Sequence, residues 1–371
     1  MVKNFGSDGI PQDFEKNFEH VYNFSFTDNN FDPDMQVSGR LFMRELFLNS
    51  QMNCAQINLP RILMWAMLLS TVQWWGGHIN KFFFEPEYEA FENPNYWAHH
   101  GPMMMFCLIL NMANVAFLNF AQIEADKKNM MMKRLSQVID LYFHSKDSVT
   151  IRLPVINIVD PTSIMTWMEI RRLVIHTGSR FQIRIQIYTS MYIALMFILD
   201  VILFGAASLV ISLDTFHPIT WMYIITYAVV FTSYMLGIMY PLAYINEQTR
   251  HQIRQLIQFK EVIQRVVRDK RLLYCHPLQI DNRIQQVAIK EYRRLAGDLQ
   301  GDERKEKMAE MAEGTYETLL DAIESLQLEL DFTPIKFLGK FALYPDTLTS
   351  ILTTILTLAA ALFQSNFLPE E

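Results

Sequence analysis

At 371 residues the chain could hold two soluble domains, but 51% hydrophobic residues, with 27 Phe and 22 Met gathered in apolar blocks between charged ones, argue against that arrangement. A net charge of -7 drawn from both signs argues against a nucleic-acid partner. Three well-separated cysteines, Cys54, Cys107 and Cys275, argue against a disulfide framework.

Residues 1–57 are polar and mixed in charge. They lack the apolar core and small-residue cleavage site of a secretory signal, so insertion is expected to start at an internal segment. Crossing about 30 Å of hydrocarbon as a helix takes roughly 17–25 apolar residues. Five stretches have that length: 62–79, 102–121, 190–213, 219–244 and 347–368. The chain therefore reads as an all-α polytopic membrane protein with about five transmembrane helices. Residues 58–121 hold a first transmembrane pair, 190–246 a second pair, and 344–371 the last helix.

Basic residues fix the expected direction. The 122–187 connection carries 10 Lys/Arg and 247–340 carries 16, whereas 78–101 carries one, Lys81, and 214–218 none. Positive charge stays on the cytoplasmic side, which predicts an N-in/C-out arrangement with 1–57, 122–189 and 247–343 in the cytoplasm. Trp74, Trp75, Tyr96 and Trp97 then fall at the outer interface, where amphipathic rings settle.

Within the 122–189 connection, Asp160-Pro161-Thr162 predicts a helix start, since a side-chain acceptor followed by Pro suits the first turn. The helix is expected over 162–177, with Gly178 as its stop. Ile164, Trp167, Ile170 and Val174 share one face, and Glu169 and Arg172 lie on another. Residues 245–272 read as a continuation of the fourth span into water, ended by Cys275-His276-Pro277. A second amphipathic stretch runs through Ile280, Ile284, Val287, Ala288 and Leu295, before a charged turn flanked by Gly297 and Gly301. In a third, Ala309, Ala312, Tyr316, Leu319, Ile323, Leu326 and Leu330 recur by threes and fours, which makes a helix seam. Pro334 breaks that helix, 335–343 reads as a short amphipathic piece, and Pro345-Asp346 as the start of the last span.

The sequence carries no HExxH, CxxC or P-loop, so no enzyme, cofactor or metal site is expected. His99-His100 near Glu85, Glu87, Glu89 and Glu92 reads as a solvated acidic loop rather than a metal centre. Asp200 is the one acid deep in a span. A carboxylate there must face protein or water, and Asn111, Asn114 and Tyr234 are its candidate partners. On the last span Thr353, Thr354, Thr357 and Gln364 lie near one helix face. Such a stripe can line a hydrated conduit or hydrogen-bond a neighbouring helix, and the residues leave both uses open.

Two blocks carry a resemblance. Residues 160–200 resemble the segment entering a span in a family of multi-span membrane proteins that go by the name homeodomain transcription factor. The shared features are Trp167 with Arg171 four residues later, a turn at Gly178, and basic residues ahead of the span. Residues 334–364 resemble the C-terminus of insect gustatory receptors and the gustatory-receptor-like superfamily around them. There the last span carries Thr-Tyr, five apolar residues and Gln-Phe. Here Thr357-Leu358, Ala359 to Phe363 and Gln364-Ser365 keep the Thr and Gln, while Leu358 stands for Tyr and Ser365 for Phe.

That superfamily has seven spans, N-in/C-out, with a very short outer connection before the sixth and a long helical inner one before the seventh. The five spans here correspond to its last five. The resemblance implies a homo-oligomer, a tetramer, acting as a ligand-gated cation channel or chemosensor in the plasma membrane or endoplasmic reticulum, with a small-molecule ligand. It also implies Gln364 as the filter and Thr357, Ala361 and Phe363 as wall or gate. The homeodomain-named relatives imply the alternative, a non-conducting scaffold of an internal membrane that binds a partner through its basic helices.

Overall fold

The computed structural model describes residues 21–22, 24–25, 37–38, 46, 59–84, 94–139, 155–157, 159–176, 218–275, 280, 282–297, 299–332, 334–337, 341–350, 352, 353 and 357, together with separate positions between 187 and 205. Among these residues the chain is all-helical but for three short ladders. The helices are α1 (Leu59–Phe84), α2 (Pro94–Val138), α3 (Pro161–His176), α4 (Pro218–Arg268), α5 (Arg283–Leu295) and α6 (Gly301–Phe332), with a single 3-10 turn at Lys270–Leu273. The two-residue strands are β1 (Val21–Tyr22), β2 (Phe24–Ser25), β3 (Val37–Ser38), β4 (Val155–Ile156), β5 (Lys336–Phe337) and β6 (Phe341–Ala342). They pair antiparallel as β1 with β3, β2 with β4, and β5 with β6.

The chain divides into two compact units. One comprises Met1–Asn53, Lys127–Thr177 and Ile245–Ile335, the other Cys54–Asp126, Gly178–Tyr244 and Lys336–Glu371. We call them the polar and the apolar unit.

In the apolar unit, residues three and four apart along each helix bring their side chains to one face. Ile62 and Leu69 of α1, Val115, Leu118, Ala121 and Ala125 of α2, and Val230, Tyr234, Met235 and Ile238 of α4 bury themselves in a single cluster. Beside Gly237 of α4 lies the end of the Gln122 side chain of α2, whose Nε2 would stand 2.9 Å from a Cβ at that position and is free to turn aside. A smaller cluster joins Ala243 of α4 to Leu343 and Leu348 at the start of the last apolar segment. Tyr240 and Thr349 share a hydrogen bond of 3.3 Å beside it. Two helical stretches, Gly101–Val138 and Ile224–Arg268, are long and apolar enough to cross a membrane, and Leu59–Val72 is a shorter apolar helix.

In the polar unit, α3 packs along α6, which also meets α5 and the 3-10 turn. Local chemistry sets the ends of these helices. The Asp160 carboxylate accepts from the Thr162 and Ser163 backbone N–H groups at 3.2 Å each, satisfying donors that the first turn of α3 leaves open. Asn282 does the same for α5, accepting from Ile284 N at 2.9 Å and Gln285 N at 3.1 Å. Gly297 and Gly301 adopt positive φ, 59° and 64°, at the turn between α5 and α6, where a side chain would be strained.

Several sequence expectations change in detail. The second apolar stretch, 102–121, lies within a longer helix, since α2 continues unbroken to Val138 through good helix formers. The fourth stops at Arg268, short of Cys275. There Asp269 accepts from Arg271 N at 3.1 Å and opens the 3-10 turn. Within the amphipathic piece expected over 335–343, Lys336–Phe337 and Phe341–Ala342 pair antiparallel as β5 and β6. In α6 the buried seam is Met308, Ala312, Thr315, Leu319, Ala322, Ile323 and Leu326, so Met308 and Thr315 replace Ala309 and Tyr316 at its N-terminal end. The expected stop at Gly178, most of the 190–213 span and the distal part of 347–368 lie outside the described residues.

Candidate functional site

The densest polar cluster in the polar unit is built around Arg171. Trp167 and Arg171 stand one turn apart on α3, so both side chains project from the same face. Both are fully buried. Trp167 Nε1 donates to the Leu135 carbonyl of α2 at 3.1 Å, which fixes the ring against that helix. The Arg171 guanidinium reaches two further helices. Its Nε donates to Gln252 Oε1 at 2.7 Å and its Nη2 to Thr249 Oγ1 at 2.9 Å, both on α4. Its Nη1 and Nη2 donate to the two oxygens of Glu329 on α6, at 2.5 and 3.0 Å.

Each acceptor is itself held in place. Gln252 donates its amide to Ser136 Oγ at 3.0 Å and to the Met132 carbonyl at 3.3 Å, both on α2. The Ser136 hydroxyl reaches Gln248 Oε1 at 3.0 Å, and Thr249 bonds back to the Ile245 carbonyl at 3.1 Å. Three helices thus meet at one guanidinium, and a fourth, α2, holds its acceptor Gln252. Burying such a charge costs several kcal/mol unless it is paired and its donors are used, and the planar fork of Arg can satisfy a carboxylate and two neutral acceptors together. A lysine could not.

Three more polar links surround this centre. Asn246 of α4 grips one backbone residue beyond α6, donating to the Ile335 carbonyl and accepting from the Ile335 N–H, each at 3.0 Å. Lys128 Nζ donates to the Ile175 carbonyl at 2.5 Å, placing a cation at the C-terminal end of α3, where the helix dipole is negative. Asn157 donates to Glu291 Oε1 at 2.7 Å, and Arg294 pairs with the same carboxylate. Tyr292 is fully buried on α5. Burial pushes its phenol above the usual range, with the Thr315 hydroxyl opposing the shift.

The apolar unit carries a polar link of its own. Asn111 donates to Ser70 Oγ at 3.1 Å and accepts from the Tyr227 hydroxyl at 3.2 Å, joining α1, α2 and α4 inside their buried cluster. Of the candidate partners for Asp200, Asn111 is engaged in this link and Asn114 is half-buried. Tyr234 lies buried with the Arg61 guanidinium 5.7 Å over its ring. Asp200 itself lies outside the described residues, as do Ala361, Phe363 and Gln364. Thr357 is described, exposed and bonded back to the Thr353 carbonyl at 2.8 Å. Sequence reasoning singled out Trp167 and Arg171 without their partners Thr249, Gln252 and Glu329. A carboxylate just past the end of an apolar seam, such as Glu329 after Leu326, was the available sign. Among the described residues no group of three His, Cys, Asp or Glu side chains could hold a metal ion.

The chain matches no protein-family model, no curated protein and no solved structure.

Proposed function

We propose that this chain is an integral membrane protein of the gustatory-receptor-like type: five spans, N-in/C-out, assembled as a homo-oligomer whose last helix lines a cation path opened by a small molecule. The membrane part rests on one observation. Every exposed residue of α2 from Pro102 to Phe120 is apolar (Pro102, Met103, Met105, Phe106, Ile109, Leu110, Ala113 and Phe120), while Asn111 and Asn119 are buried. The described positions Ile187, Tyr188, Met191, Ala194, Leu195, Ile198 and Val201 are exposed as well. A protein in water rarely leaves contiguous apolar patches of more than a few hundred Å² uncovered. Hydrocarbon tolerates such faces and favours polar side chains that bond to each other between helices.

The channel part rests on the resemblance of residues 334–364 and on the hydroxyls of Thr353 and Thr357, exposed on the last segment. Cation flux into liposomes holding the purified protein tests it. Flux is expected from the natural sequence, and Gln364→Arg should abolish it or reverse its ion preference. A chain that inserts but never conducts would return the function to the non-conducting scaffold. An epitope after Glu371 should be reachable from outside sealed cells; one reached only after permeabilisation overturns the orientation.

A further inference from the structure

Burial along α6 changes abruptly near its end. From Met308 to Leu326 a buried side chain recurs at every turn. Beyond Leu326, among the described residues as far as Ile335, none is buried: Gln327, Leu328, Asp331 and Phe332 are exposed, and Glu329, Leu330, Pro334 and Ile335 are half-buried. Phe332 is 72% exposed. The exit of α6 therefore gains little from the hydrophobic effect. The contacts that hold it among the described residues are polar and directional: Glu329 on Arg171, and the Ile335 backbone on Asn246.

The Arg171–Glu329 contact is also asymmetric. The Arg171 side chain is 0% exposed and that of Glu329 is 28% exposed. Arg171 is held in its buried place by its bonds to Gln252 and Thr249. Glu329 can swing into solvent. On a segment with little buried apolar surface, local opening requires this pair and the Asn246 contact to part, and Thr249 and Gln252 then remain as acceptors for the buried Arg171 charge.

We propose that the Arg171–Glu329 pair is a latch, which holds the exit of α6 on α3 and α4 and on release frees that exit while the rest of the polar unit stays folded. In sequence the exit leads through β5 and β6 to the last apolar segment, which the channel reading above makes the pore helix.

Hydrogen exchange of the full chain in lipid nanodiscs tests this, comparing the natural sequence with Glu329→Gln. The substitution keeps the shape of the side chain and removes its charge. Exchange at residues 327–332 and at Ile335 is expected to rise by at least about tenfold, with residues 308–326 of α6 and all of α3 within about twofold of the natural sequence. Unchanged exchange at the exit overturns the latch. So does a rise spread evenly over α3, α4 and α6, or failure of the variant to fold, because the latch requires the remainder to persist. Glu329→Asp, which keeps the charge on a shorter arm, should fall between the two; an exit as loose as in Glu329→Gln would show that charge alone does not close it. Flux from the same preparations separates the two readings. An exit that responds in a protein that never conducts keeps the latch and removes the channel, and conduction with an unresponsive exit does the reverse.

Discussion

Trp167 illustrates how much depends on single atoms. Its ring fills space on the buried face of α3 and its Nε1 supplies a donor to the Leu135 carbonyl. Trp167→Phe keeps most of the apolar contact, loses the donor and leaves a small void, which should cost about 1–3 kcal/mol. Thermal unfolding in detergent or nanodiscs should show a clear drop in midpoint. An unchanged midpoint would mean that the ring is not anchored to α2 as described. Which of these residues could be recognised from the sequence follows from range. Trp167 was placed on the buried face of α3 by spacing alone, because its neighbours are three and four residues away. The carboxylate that pairs with Arg171 comes from position 329, far along the chain, and no local period reports such a partner. The sequence shows a charge beside an apolar face. It does not show what neutralises it.

Elements are legible where their ends carry chemistry. Asp160, a side-chain acceptor followed by Pro, announces the start of α3, and Gly297 and Gly301 mark the turn whose φ values require them, whereas Asn282, which caps α5 in the same way, does not stand out in the sequence. The β5–β6 hairpin was missed for the opposite reason. Two-residue strands carry no alternation to read, so 335–343 reads only as a short amphipathic piece. The α6 seam was displaced near its start because Thr315 and Tyr316 compete for the inner position. Thr315 takes it by donating to the Val159 carbonyl at 2.6 Å, a bond that apolar periodicity does not anticipate.

The first turn of α6 also makes a pH prediction. Lys305, bonded to Asp302 at 2.8 Å, holds that carboxyl below its ordinary value. A depressed value in the folded chain means that its contribution is present above the unfolded carboxylate value, about 3.9, and is lost as pH falls through the folded one. Asp302→Asn should therefore speed amide exchange in the first turn of α6 at neutral pH and make no difference in strong acid. The effect should be small, because both groups face water and salt screens them. Equal effects at both pH values would assign the change to something other than the charge.

At the scale of the molecule, the distribution of polarity decides between solvents. If α2 lies in hydrocarbon, Ile109→Arg, at a position 61% exposed, places a charge against lipid and should cost roughly 2.5–3.5 kcal/mol of insertion free energy. If α2 lies in water, the same change at an exposed site should shift stability by no more than about 0.5 kcal/mol. Alkaline carbonate extraction of membranes reads the difference: a fall in the extraction-resistant fraction supports the lipid placement, and an unchanged one removes it. At this scale the sequence reading and the structure meet in an all-helical chain in which, among the described residues, two helices are long and apolar enough to cross a membrane. The polar interior of the apolar unit was not legible in the same way. Asn111 stood out as an asparagine in an apolar run, but Ser70 and Tyr227, its two partners, look ordinary in their own segments.

The grip of Asn246 on Ile335 has a consequence for which side chains position 246 will admit. A carboxamide offers an acceptor and a donor side by side, as a peptide group does, so this single residue pairs with the Ile335 backbone as a strand residue would. Aspartate keeps the acceptor and forfeits the donor, leucine forfeits both, and glutamine displaces the pair by a methylene. Variation here should be far narrower than hydrophobicity or size alone would allow.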